Sequence, residues 1–152
     1  MHPYIYQKNM KAFSDLTEQQ KQALLKFPIY ISLLATTDDK MDEEERMVAI
    51  KFAHTKAFSC QPLLTEFCQE SEKVFEKNLV EIVALLPKDK ASRDAAIKHE
   101  LLKLETILVK LGKVYTLVMH QSMKTFKEHV SKAHHSVIED FILPISIPGL
   151  TD

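Results

Sequence analysis

Only two glycines, Gly112 and Gly149, serve a chain of 152 residues. Tight hairpins and bulges draw on glycine for positive φ, so a chain this poor in it turns too seldom to lay down many strands. Apolar residues recur every three or four positions over long stretches, which is the period of a helix with one buried face. The expected fold is therefore all-α: an irregular bundle of about six or seven helices in a single domain, because 152 residues can bury roughly two thirds of their surface around one core.

Local signals place the helices. Thr17 reads as an N-cap with Gln20 as its capping-box partner and Leu16 as the staple, opening a short helix to about Lys26. Pro28 suits a first helical turn, so a second helix starts at Phe27 and reaches about Thr36. Asp42 is the next cap, with Glu45 at N3 and Met41 as staple, and Met47, Ile50, His54 and Phe58 then give one apolar face. Pro62 restarts the chain; Leu64, Phe67, Val74, Phe75, Leu79 and Ile82 carry the period to Pro87, as one helix or as two with Ser71 capping the second. Ser92 is expected to cap a helix holding Ile97, Leu101, Leu104, Ile107 and Leu111, stopped by Gly112. A last helix runs from Lys113 past His135 toward Pro144, with Val114, Leu117, Val118, Met123, Phe126 and Val130 facing inward. Residues 1–13 form a lead-in arm that either lays Tyr4, Tyr6 and Phe13 on the core or stands loose, and residues 143–152 an irregular tail packed on the bundle. Tyr30 and Tyr115, each early in an apolar helix, are the only hint of internal repetition.

Composition removes several function classes. Twenty basic and twenty-one acidic residues leave a net charge of -1, so no global field draws the chain to nucleic acid or an anionic membrane. No apolar run approaches the ~20 residues of a membrane span, and the N-terminus lacks a basic, apolar leader, so a cytoplasmic location is expected. Cys60 and Cys68 fit no metal-binding spacing and are expected to be reduced and buried. Neither cysteine has a nucleophile's surroundings, and no Gly-rich phosphate loop, Gly-x-Ser-x-Gly or His-Glu-x-x-His occurs, so the chain reads as a non-enzyme.

The densest local signal is the turn between the second and third helices, where six of the eight residues from Asp38 to Glu45 are acidic. Such crowding calls for water or a cation to relieve repulsion. As a solvated helix N-terminus, each carboxylate contributes a few tenths to ~1 kcal/mol against the helix dipole. As a hard-cation site, Asp38, Asp42 and Glu45 place three oxygen donors within reach of one calcium or magnesium ion. The turn is not an EF-hand: counted from Asp38, Lys40 falls at loop position 3, Glu43 at the glycine position 6, and Ala49 at the bidentate position 12.

An apolar helix ending in Asp38, followed by Lys40, Met41, Asp42, Glu44 and Glu45, resembles the helix-turn-helix signature of the tellurite-resistance TerB-like proteins over about Ile29 to Phe58. The resemblance implies a compact helical domain with a divalent cation at its acidic residues, here Asp38, Asp42 and Glu45, and a role in stress response or in membrane-associated complexes, through partner contacts in place of catalysis. The chain departs from the pattern in carrying Asp39 where the family has glycine and in lacking a second acidic turn.

Two other readings use different residues. Five of the seven histidines lie late, at 99, 120, 129, 134 and 135, which brings a haemerythrin- or ferritin-like metal enzyme into question. Such sites use Glu-x-x-His pairs; none occurs here, and only His135 and Glu139 share a helix face. Lys124, Lys127 and Lys132 make a basic strip that a solvated face explains as well as phosphate binding does. In the third reading the chain is a metal-free scaffold whose acidic turn is only a cap. A protein partner is expected in the first and third readings, and a second copy of the chain is admissible in that role.

Overall fold

The computed structural model describes residues 12–36, 43–57 and 61–142, with side chains for 12–36, 43–54 and 61–132. Six α-helices follow in order: α1 Glu18–Leu24, α2 Phe27–Ala35, α3 Glu43–Ala57, α4 Thr65–Leu85, α5 Lys90–Lys110 and α6 Lys113–Ile142. Two 3-10 turns, Phe13–Asp15 and Pro62–Leu64, precede α1 and α4, and no strand occurs among the described residues. The arm up to residue 11, the tail from 143, and the cap and staple expected at Asp42 and Met41 lie outside the described residues.

The helix of sequence FPIYISLLA carries no charge, and the bundle closes around it. Within α2, Phe27, Ile29, Tyr30 and Leu33 are all buried, each apolar side chain contributing about 1.5–3 kcal/mol. Burial on nearly every side is what a helix without a polar face requires. The hydroxyls of Ser32 and of Thr36 at its C-cap bond locally: Ser32 Oγ donates to the Pro28 carbonyl at 2.7 Å and Thr36 Oγ1 to the Ser32 carbonyl at 3.0 Å. The long α6 packs along both α2 and α3, while α5 and α4 close the remaining sides of α2.

Several boundaries fall where local chemistry puts them. Thr17 Oγ1 accepts from the Gln20 backbone N–H at 3.1 Å while Gln20 Oε1 accepts from the Thr17 N–H at 3.0 Å, the reciprocal capping box. Phe27 begins α2 with Pro28 in its first turn. Gly112, with φ of 93°, supplies the left-handed residue that lets α5 stop and α6 start one residue later. Phe13 is buried and meets Phe67 edge-on at 5.8 Å, so the end of the lead-in arm is laid on the core.

One open alternative closes and three expectations need correction. Residues 65–85 form one helix, and Ser71, expected as a possible cap, is fully buried inside it. The cap of α5 is Asp89, whose carboxylate accepts from the Ser92 N–H at 2.9 Å, making Ser92 the third helical residue. That bond holds the Asp89 carboxyl below the usual carboxylate range. In α6, apolar residues at 114, 115, 117, 118 and 119 offered two competing faces. Extending the stripe of Met123, Phe126 and Val130 backwards by fours selects Met119 and Tyr115, which are buried, and leaves Val114 and Leu117 exposed. Lastly, Cys68 is half-buried and disulfide-bonded, not reduced; Cys60 is the only other cysteine in the chain.

On α3, Ala49, Ile50 and Ala53 are buried, and half-buried His54 stacks on Phe75 of α4 at 3.7 Å with Phe126 of α6 edge-on at 6.3 Å. Desolvation pushes its imidazole pKa below 6.5, with Glu72 opposing. The unfolded chain therefore takes up this proton first, so stability is full above about pH 6.5 and declines as pH falls through the folded value. The urea midpoint of the wild type should drop between pH 7.5 and pH 5, and His54→Leu should show a shallower drop. Equal slopes for the two proteins would refute this assignment.

Candidate acidic turn and its surroundings

The charge-free α2 delivers the chain to the acidic segment, and α3 takes it back into the core. Three carboxylates stand in the first turn of α3, Glu43, Glu44 and Glu45, where the exposed amides of a helix start favour negative charge. Glu43 and Glu44 are exposed and Glu45 is half-buried. Glu43 reaches across to Lys88 in the α4–α5 connection, Nζ to Oε1 at 3.4 Å, an exposed pair of small energetic weight.

Of the three expected cation ligands, Glu45 lies on α3 as expected, whereas Asp38 and Asp42 lie outside the described residues. Among the described residues no group of three or more His, Cys, Asp or Glu side chains is placed to hold a metal ion. The late histidines that are described do different work. His120 Nε2 lies 2.6 and 2.9 Å from the two Glu105 oxygens, tying α5 to α6 across the Gly112 turn on the exposed surface. His129 Nδ1 donates to the Thr125 carbonyl of its own helix at 2.9 Å, which fixes its tautomer, since a carbonyl only accepts. The side chains of His134, His135 and Glu139 fall outside the described set. Lys124, Lys127 and Lys132 are all exposed, as a solvated helix face requires.

Sequence periodicity missed Arg46. It lies on the inward stripe of α3, only 8% exposed, directly after the carboxylates Glu43–Glu45. Arg46, Lys88 and Arg93 line a small cleft between α3, the end of α4 and the start of α5, with Met47 and Leu86 among its apolar walls. The only trace of this in the sequence is that the positive charges at 46, 88 and 93 sit next to helix ends that the fold brings together. Both tyrosines of the suspected repeat are buried. Tyr30 is raised above its ordinary pKa by burial and then by Glu100, and Tyr115 by burial and then by Glu66. No described helix is long and apolar enough to cross a membrane. Compared with known protein families, curated proteins and solved structures, the chain matches none.

Proposed function

We propose that this chain is a non-enzymatic helical module of the TerB-like kind, which holds a divalent cation at the acidic turn through Asp38, Asp42 and Glu45 and acts by contact with a protein partner in a stress response. The observation that carries the reading is the frame on either side of the turn: an apolar, largely buried α2 ending at Ala35, and α3 opening on three consecutive glutamates at Glu43. That frame returns the chain within eight residues and leaves Glu43 and Glu44 exposed with Glu45 half-buried, at a surface where a hard cation keeps part of its water shell.

The partner contact is supported by apolar side chains that the bundle does not use. Leu102 and Val109, two turns apart on one face of α5, are 68% and 72% exposed, and Val114 and Leu117 on α6 are 57% and 59% exposed. Single exposed leucines are ordinary; four on the two arms of one helical hairpin are what a docking surface requires. A cytoplasmic setting has to accommodate the bridge at Cys68, because reducing buffers keep most thiols open there.

The reading is tested by melting the protein in rising calcium and magnesium. An ion bound only by the folded chain stabilises it by about 2.7 kcal/mol at a hundredfold excess over its dissociation constant, a rise of roughly 5–10 °C for a chain of this size. The shift should vanish in Asp38→Asn and in Glu45→Gln. An unchanged melting temperature up to 10 mM of either ion would leave the acidic turn as a helix cap and defeat the proposal. Sedimentation at increasing protein concentration then reports whether the partner is a second copy.

A further inference from the structure

The outward face of the α5–α6 hairpin combines an apolar groove with a surplus of positive charge. On α5, Leu102 and Val109 are exposed with Thr106 between them, all on one helix face at steps of three or four. Two bonds fix how α6 lies alongside: Thr116 Oγ1 donates to the Leu108 carbonyl at 3.0 Å, and His120 Nε2 meets Glu105 at 2.6 Å. That register sets the exposed Leu117 opposite the Leu108–Val109 step, so apolar side chains from both helices flank the groove between them.

Lysines bracket this groove on both helices. Lys98 lies one turn before Leu102 and Lys110 follows Val109; on α6, Lys113 stands one turn before Leu117 and Lys124 two turns after it. All four are exposed, and none pairs with a carboxylate among the described residues. From 98 to 132 the chain holds seven lysines and three glutamates, although its net charge is -1. Two of those glutamates are already engaged, Glu100 with Lys103 at 3.3 Å and Glu105 with His120. The third, Glu128, lies about three turns along α6 from Leu117. The groove is thus apolar along its floor and positive along both margins, and its complement is apolar with negative margins.

A groove between two packed helices takes a third helix lengthwise. Pairing this face with itself in a second copy would set lysines against lysines. Interfacial membrane contacts draw on Trp or Phe as well as Leu, and the exposed apolar side chains of this hairpin are Leu and Val alone. We infer that the α5–α6 face docks an acidic amphipathic helix of a partner protein, with aliphatic side chains in the groove and carboxylates along both margins on the lysines. This names the chemistry of the partner contact proposed above and rests on it, without needing the cation.

The test is fluorescence anisotropy of a labelled peptide of about 18 residues, with leucine along one helix face and glutamate beside it, titrated with the full chain. Saturable binding is expected with a dissociation constant of about 100 μM or tighter, weakened at least about fivefold by a rise from about 50 to 300 mM salt. A peptide with lysine in place of every glutamate should bind at least about tenfold more weakly. Leu102→Ser should weaken the acidic peptide about fivefold to tenfold, and Lys113→Glu combined with Lys124→Glu at least about tenfold. These positions are exposed, so both variants should melt with the wild type. No saturable binding, equal binding of the lysine peptide, or unaltered affinity in either variant would overturn the assignment. Binding to phosphatidylserine vesicles or self-association in place of peptide binding would overturn it as well. A calcium-induced melting shift without peptide binding would keep the acidic-turn site and remove this face; peptide binding without the shift would do the reverse.

Discussion

Phe67→Ala should cost about 3–5 kcal/mol, the largest loss expected from any single truncation in the chain. Phe67 is fully buried at the start of α4 and meets Phe13 edge-on at 5.8 Å, so its ring ties the residues before α1 to the fourth helix. Removing it leaves a ring-sized void and strips Phe13 of its edge contact, and neither side can collapse freely because α4 continues unbroken to Leu85. Domains of this size are stable by only about 5–15 kcal/mol, so the variant should melt on the order of 10 °C lower. Chemical denaturation of the two proteins side by side measures the loss. A difference below about 1 kcal/mol would mean that this ring does not anchor the core.

Reduction should bring the second large change. Cys68 follows Phe67 directly and is disulfide-bonded, so the first turn of α4 is pinned from two sides. Opening a native bridge typically costs about 2–5 kcal/mol, with short loops at the low end. Wild-type protein should melt several degrees lower in reducing buffer than in its absence, and Cys68→Ser should melt low in both. Identical curves for oxidised and reduced wild type would show that the bond does not hold the fold. Because Phe67 and Cys68 are adjacent, their effects should not simply add.

How much of this was legible in the sequence depends on how local the cause is. The Thr17–Gln20 capping box, the Phe27–Pro28 start and the Gly112 stop are set by residues within one turn of each other, and each is where the sequence puts it. Burial in α6 was less legible, because five apolar residues between 114 and 119 wrap most of the way round the helix. Only packing against α2 and α3 decides that Tyr115 and Met119 go in. The cap of α5 illustrates a different limit: both Asp89 and Ser92 are good cap types, and the charged one, three residues earlier, prevails. The state of Cys68 and the inward turn of Arg46 depend on contacts between distant segments, which periodicity does not encode. Of the expected site, Glu45 was legible as part of an acidic helix start, and the cleft lined by its neighbour Arg46 was not.

Arg46 has a consequence for how the acidic turn communicates with the rest of the molecule. A guanidinium packed at 8% exposure on the inward face of α3 fixes the rotation of that helix, since turning it by one residue would drag a charge through hydrocarbon. The carboxylates just before it, Glu43–Glu45, are thus mounted on an element that can neither roll nor slide without disturbing Ile50 and Ala53 beneath it. A load applied at the turn is passed straight to the middle of the bundle, so a surface event there registers as a property of the whole fold.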